Sequence, residues 1–229
     1  MKRFFILVFL SAQAFVHSQE IEGSMRPVSN YLEDQFYLGV TYNLFTNLPK
    51  DISHRNLSYG LQGGFIKDIP LNEARTIAMG AGLGFGINSY YTNLLASKTE
   101  ENITYSRIES KTDYSRNKIE THILEFPIEF RWRNSSPEEY KFWRVYSGVK
   151  MGYVLNARSK YVSDLKNISF SNGEIKKFQY GLTFSVGYNT FNFHAYYALS
   201  SLFNKDVTLA SGEQLKVKPL RVGLIFYIL

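Results

Sequence analysis

The stretch AMGAGLGFGI, residues 78–87, sets a glycine at every second position. A phosphate-binding fingerprint needs unevenly spaced glycines, because each has a separate task between a strand and a helix N-terminus. Here Gly80, Gly82, Gly84 and Gly86 alternate with Met79, Ala81, Leu83, Phe85 and Ile87. In an extended chain that alternation makes one face apolar and strips the other of side chains. No Lys-Ser or Lys-Thr follows in the P-loop arrangement and no helical pattern comes next, so the stretch predicts a β-strand.

The same period of two recurs in eight segments separated by turn or loop composition. Their apolar faces run Phe36–Leu44, Leu57–Phe65, Met79–Ile87, Leu124–Trp132, Trp143–Leu155, Phe178–Tyr188, Phe191–Leu199 and Leu220–Ile228. None of these face positions carries a charge, although 20% of the chain is charged. A charged residue on a lipid-facing strand costs roughly 2–4 kcal/mol at the bilayer midplane, so this exclusion fits a wall that meets lipid. Trp132 and Trp143 flank one short connection, and Tyr90 and Tyr91 end another segment, as interfacial aromatic girdles would. The connections alternate in length. Those around Asp68 to Arg75, Asn134 to Lys141 and Asn189 to Thr190 are short; those around Asn47 to Asn56, Thr92 to Lys118, Asn156 to Lys176 and Asn204 to Gln214 are long. Outer-membrane barrels carry short turns on the periplasmic side and long loops outside, and an even strand count returns the chain to the periplasm. The loop Thr92 to Lys118, polar and mixed in charge, reads as a flexible surface loop. The fold class expected is all-β: an eight-stranded antiparallel transmembrane up-and-down barrel with a plugged polar lumen.

The ends and the composition agree. Met1 to Ser18 reads as a cleaved signal peptide, with Lys2 and Arg3 before an apolar run that is too short to span a bilayer as a helix. This divides the chain into a leader (1–18), a periplasmic amino-terminal segment (19–34) and the barrel (35–229). Without cysteine, the chain has no disulfide, thiolate metal site, cysteine nucleophile or lipoprotein anchor. The leader takes two of the 26 basic residues, leaving 24 against 20 acidic ones, a net of +4 spread along the chain. Nucleic acid is therefore not an expected partner. The partners expected are outer-membrane lipid and, during biogenesis, the barrel assembly machinery. Arg221, Gly223, Phe226 and Ile228 match the carboxyl-terminal assembly signal, although Leu229 rather than an aromatic residue ends the chain.

If the apolar faces meet lipid, the glycines face inward and make room for bulky residues on the opposite wall. Segments four and five supply Glu125, Glu129, Arg131, Arg133, Arg144, Tyr146 and Lys150, and segment eight supplies Arg221 and Tyr227. Enclosed charges must be paired, so a network of Glu125 and Glu129 with Arg131, Arg144, Lys150 and Arg221 is expected. Pro127 cannot donate to a ladder and predicts a bulge or weak pairing. The histidines give little chemistry. His122 lies on the outward register and His54 in a loop, while His194 faces inward with Tyr196 and Ser200 on one strand, at spacings that define no nucleophile and base. No catalytic residue, metal site or cofactor is expected, and the protein reads as a non-enzyme.

The stretches HILEFPIEFRWR (122–133), FWRVYSGVKMGYVL (142–155) and YALSSLF (197–203) resemble PorT-like outer-membrane β-barrels of Bacteroidetes, with Glu125, Pro127 and Arg131 as the signature positions. That resemblance implies an outer-membrane location and, for PorT in the strict sense, a part in the type IX secretion system and gliding motility, with other components of that system as partners. Two other classes remain: an autonomous structural barrel or surface adhesin, and an outer-membrane enzyme acting on lipid.

Overall fold

The computed structural model describes residues 35–100, 102–109, 114–134 and 143–228. The expected leader and amino-terminal segment (1–34), most of the turn after Asn134, and Leu229 lie outside the described residues. Among these residues eleven strands form: β1 (Gln35–Thr46), β2 (Tyr59–Pro70), β3 (Ile77–Tyr91), β4 (Leu94–Lys98), β5 (Ile103–Arg107), β6 (Arg116–Arg133), β7 (Trp143–Val162), β8 (Asn167–Ser171), β9 (Phe178–Tyr188), β10 (Phe191–Ala198) and β11 (Lys218–Ile228). Eight of them, β1, β2, β3, β6, β7, β9, β10 and β11, pair antiparallel with their neighbours, and β1 closes on β11 from Phe36↔Ile228 to Thr46↔Lys218. The result is a closed eight-stranded barrel.

Alternation explains the wall. Along β1, Phe36 is 61% exposed while Tyr37 beside it is 2% exposed, and the pattern repeats strand after strand. The outward side chains are the apolar set of the sequence, Trp132 and Trp143 included. Water would not tolerate so continuous an apolar exterior on a monomer; lipid is the matching solvent.

The glycine-bearing wall of β3 mates with tall side chains from elsewhere. A Cβ on Gly80 would lie 2.7 Å from Arg131 Nε, one on Gly82 2.7 Å from Ile66 Cγ1, and one on Gly86 3.2 Å from the Glu125 carboxylate. A Cβ on Gly84 would collide with the Tyr37 hydroxyl. The glycines are thus the imprint of the residues that fill the bore.

Several expectations need correction. β2 continues through Asp68 to Pro70, so the turn is 71–76 and Asp68 is a buried, inward residue. Tyr90 faces inward rather than joining a girdle, stacking on Phe45 at 4.4 Å. The long loops fold: Thr92 to Lys118 contains the β4–β5 hairpin, and Asn156 to Lys176 contains the end of β7 paired with β8. At Pro127 no bulge occurs, because the β6–β7 ladder passes through Pro127↔Lys150 without a shift. The weak pairing expected there does occur, on the β3 side, where the β3–β6 ladder skips from Ala81↔Ile128 to Gly84↔Glu125 opposite Pro127 and Phe126. The bulge lies higher, at Leu155, between Ile123↔Val154 and His122↔Asn156.

Replacing Gly84 with Ala should lower barrel stability by about 1–3 kcal/mol through overpacking. The double variant Gly84→Ala, Tyr37→Phe should recover part of the loss, read by urea titration of the folded fraction in detergent. No recovery would show that the Tyr37 hydroxyl is not what the glycine accommodates.

Candidate functional site

The inward residues stack in three layers along the barrel axis. Nearest the short turns, Arg131 on β6 donates from Nη1 to Asp68 Oδ1 at 2.9 Å and from Nε to Glu129 Oε2 at 3.2 Å. Arg133 reaches the second Asp68 oxygen at 2.7 Å and donates to the Arg75 carbonyl at 2.7 Å. The Arg131 guanidinium also lies 4.5 Å from the Tyr146 ring centroid and 5.5 Å from that of Tyr227, where ring faces add cation–π attraction.

One layer up, Glu125 is gripped from two sides. Lys150 Nζ lies 3.0 Å from Oε2 and Arg221 Nη1 lies 2.9 Å from Oε1. Lys150 also donates to Gln62 Oε1 at 2.8 Å, Arg221 to Asn88 Oδ1 at 3.2 Å, and Arg221 stacks over Tyr196 at 3.9 Å. Glu125 is 1% exposed and Arg131 0%, so these charges live in a low dielectric where an isolated ion could not persist.

The single network expected from the sequence therefore divides. Glu125, Lys150 and Arg221 meet in the upper layer; Glu129 and Arg131 meet in the lower one. Arg144 is buried opposite Arg133 on the ladder, far along β7 from Gly152, the residue that faces Glu125. Asp68 is masked in the sequence because Asp-Ile-Pro-Leu-Asn has the composition of a turn. The available signal was parity: Lys67 and Ile69 keep the outward register and leave Asp68 inward.

The third layer is chiefly apolar. Every long connection sends side chains into one cluster at the long-loop end: Ile52 from the first, Leu94 and Tyr105 from the second, Ile175 from the third, Phe203, Leu209 and Leu215 from the fourth. Bridges Tyr105↔Leu209 and Ile175↔Phe203 tie the loops together, and Tyr105 packs edge-on against Phe203 at 5.1 Å. The plugged polar lumen occupies the two lower layers, and within the cap above them Tyr105, Asn172 and Ser159 still form a buried hydrogen-bonded chain. The apolar residues of the loops have no periodicity, so only the tertiary structure reveals the cap. His54 pins the first loop by accepting a hydrogen bond from the Phe45 N–H at 2.7 Å.

The inward His194 pairs with Ser185, whose Oγ lies 2.8 Å from Nδ1, because the two are register partners on β9 and β10. Ser200, expected on the same strand, lies beyond the end of β10 and instead accepts from the Tyr180 N–H at 3.2 Å. Ser185 and His194 are 2% and 1% exposed, which leaves a hydroxyl and an imidazole in contact but walled off from solvent. Pro127 sits inward between the two charged layers. Arg221 and Gly223 of the carboxyl-terminal pattern face the lumen, while Phe226 and Ile228 face out and Phe226 packs against Phe191 at 5.2 Å.

A closed eight-stranded wall, apolar outside and filled with paired charges inside, defines an integral outer-membrane β-barrel. Residues 12–204 match the family model described as outer membrane protein beta-barrel domain, and the chain belongs to that family. No curated protein matches the chain.

Removing the Glu125 charge by Glu125→Gln leaves Lys150 and Arg221 buried and should cost about 3–5 kcal/mol, more than Glu129→Ala, whose carboxylate meets a single cation. Equal unfolding midpoints for both variants and the parent would remove the network from the account of stability. Burial holds His54 below its ordinary range, so the folded loop prefers neutral imidazole. The His54 contribution is complete above about pH 6.5 and declines as pH falls below it. Exchange of the Phe45 amide, corrected for intrinsic rate, should therefore quicken as the solution is acidified below that point, and His54→Ala should abolish the pH dependence.

Proposed function

We propose that this barrel is a non-catalytic scaffold of the outer membrane that serves protein secretion of the type IX kind, reaching its place by way of a cleaved leader and the barrel assembly machinery. The observation that carries the reading is the filled bore. Charges locked in pairs below and an apolar cap above give the described lumen no role as a conduit, so what the protein offers a partner is its surface: the loops, the turns and the wall. The likeness of HILEFPIEFRWR and its companion stretches to PorT-like barrels supplies the kind of partner. Glu125 and Arg131, the signature positions, are then residues that hold the scaffold rigid instead of groups that act on a substrate, and Pro127 loosens the wall between them.

A second reading, surface attachment, draws on one feature. Leu165, at the tip between β7 and β8, is 99% exposed, an apolar residue presented at the end of a hairpin.

Deleting the gene should halt export of secretion substrates, and tagged barrel purified from gently solubilised outer membranes should carry stoichiometric secretion components. Intact export with loss of surface attachment would instead favour the adhesive reading and remove the secretion role.

A further inference from the structure

The bulge at Leu155 changes which side chains of β7 look outward. Below it the outward set is odd-numbered and, Ser147 apart, apolar, ending at Tyr153 and Leu155, with Leu124 beside them on β6. Above it the even-numbered residues turn out, so Arg158 and Lys160 leave the barrel while Ala157 and Ser159 are buried under the cap. β6 contributes Arg116, Lys118, Glu120 and His122 to the same outward face, and β8 adds Ser169 and Ser171.

The register stacks these groups in rows. Glu120, Arg158 and Ser171 form one; Lys118, Lys160 and Ser169 the next. Lys118 and Lys160 stand directly opposite each other, a like-charge pairing that destabilises a bare sheet. Glu120, the carboxylate of this face, is engaged by Lys118 and lies 3.4 Å from His122. Arg158 stands opposite Glu120, a carboxylate already engaged by Lys118, whereas Arg116 and Lys160 are paired in register with Val162 and Lys118 and have no carboxylate across the ladder. Four fixed cations, Arg116, Lys118, Arg158 and Lys160, meet the single carboxylate of Glu120 among these β6 and β7 positions, so the face is cationic on balance and continuous with the lipid-facing belt beneath it.

We propose that the outward face of β6, β7 and β8 above Leu155 binds the phosphates of an anionic glycolipid headgroup in the outer leaflet, whose acyl chains lie along the apolar wall below. Barrels of this class hold their long loops outside, which places the face in that leaflet. At about 3.4 Å per residue and a strand tilt of about 40°, Arg158 and Lys160 stand roughly 8 Å and 13 Å above Leu155. A polar layer of roughly 5–8 Å per leaflet accounts for Arg158 alone. Lys160 stands higher, so the fitting headgroup is tall, a phosphorylated sugar in place of a glycerol phosphate.

The test uses the full mature barrel in phosphatidylethanolamine nanodiscs doped in turn with diphosphoryl lipid A, its dephosphorylated form, or phosphatidylglycerol at matched charge, with retained lipid counted by native mass spectrometry. Diphosphoryl lipid A should be retained over both comparators, and Arg158→Gln with Lys160→Gln should cut that retention roughly tenfold, since each cation adds an independent attraction. Both positions are outside the packed interior, and an unchanged gel shift of the unboiled barrel confirms folding. If the variant scaffold fails that check, Arg116→Gln provides the same reading at lower magnitude. Undiminished retention by the variants, equal retention of the dephosphorylated lipid, or release by inorganic phosphate at the same phosphate concentration would each overturn the proposal.

Discussion

A strand inside a bilayer has no water to complete its hydrogen bonds, so every backbone N–H and C=O of the spanning segments must find a neighbouring strand. Closure of β1 onto β11 meets that demand, and the remaining architecture follows from the narrowness of an eight-stranded bore. A tube of this size has room for side chains and little else, so residues on facing walls must share one volume. Gly80 to Gly86 surrender theirs to Arg131, Ile66, Tyr37 and Glu125. The glycine stripe and the charged strands β6 and β7 are two halves of one packing solution.

The charges inside are a consequence of the same geometry. Long Arg and Lys side chains can cross from one wall towards the other, and once enclosed they require partners. Three buried carboxylates, Asp68, Glu125 and Glu129, meet the buried cations of β6, β7 and β11, and the faces of Tyr146, Tyr196 and Tyr227 take up part of the positive charge. Replacing such a set by apolar residues is often neutral for stability, whereas breaking it is not. Such a set is weak evidence of added stability, but once present it penalises any arrangement of the walls that separates its members. The apolar cap does comparable work at the other end by hydrophobic burial, with all four long connections contributing.

The wall was legible in the sequence because a strand has a strict period of two and lipid tolerates no charge on its side of it. That period placed the eight segments, the inward Glu125, Glu129, Arg131, Lys150 and Arg221, and the outward Trp132 and Trp143. Asp68 was lost because turn-forming neighbours masked its parity. Tyr90 was misplaced because it adjoins Tyr91, and an adjacent pair must point to opposite faces. The cap left no trace, since Ile175, Phe203 and Leu209 are brought together by contacts between loops distant in the chain. The Ser185–His194 contact was likewise hidden, being a matter of register between β9 and β10 and not of spacing within one strand.

The seam between β1 and β11 carries one more consequence. All other staves of the barrel are joined to chain neighbours, but this one unites the two ends of the described barrel, Phe36 with Ile228. Contacts between such distant segments form late, because the loop entropy must be overcome before they yield any gain. Once the seam shuts, no edge is left from which unzipping can begin. An edge reappears only when some ladder of the wall parts, so the barrier to that parting bears on how long the fold persists in the membrane.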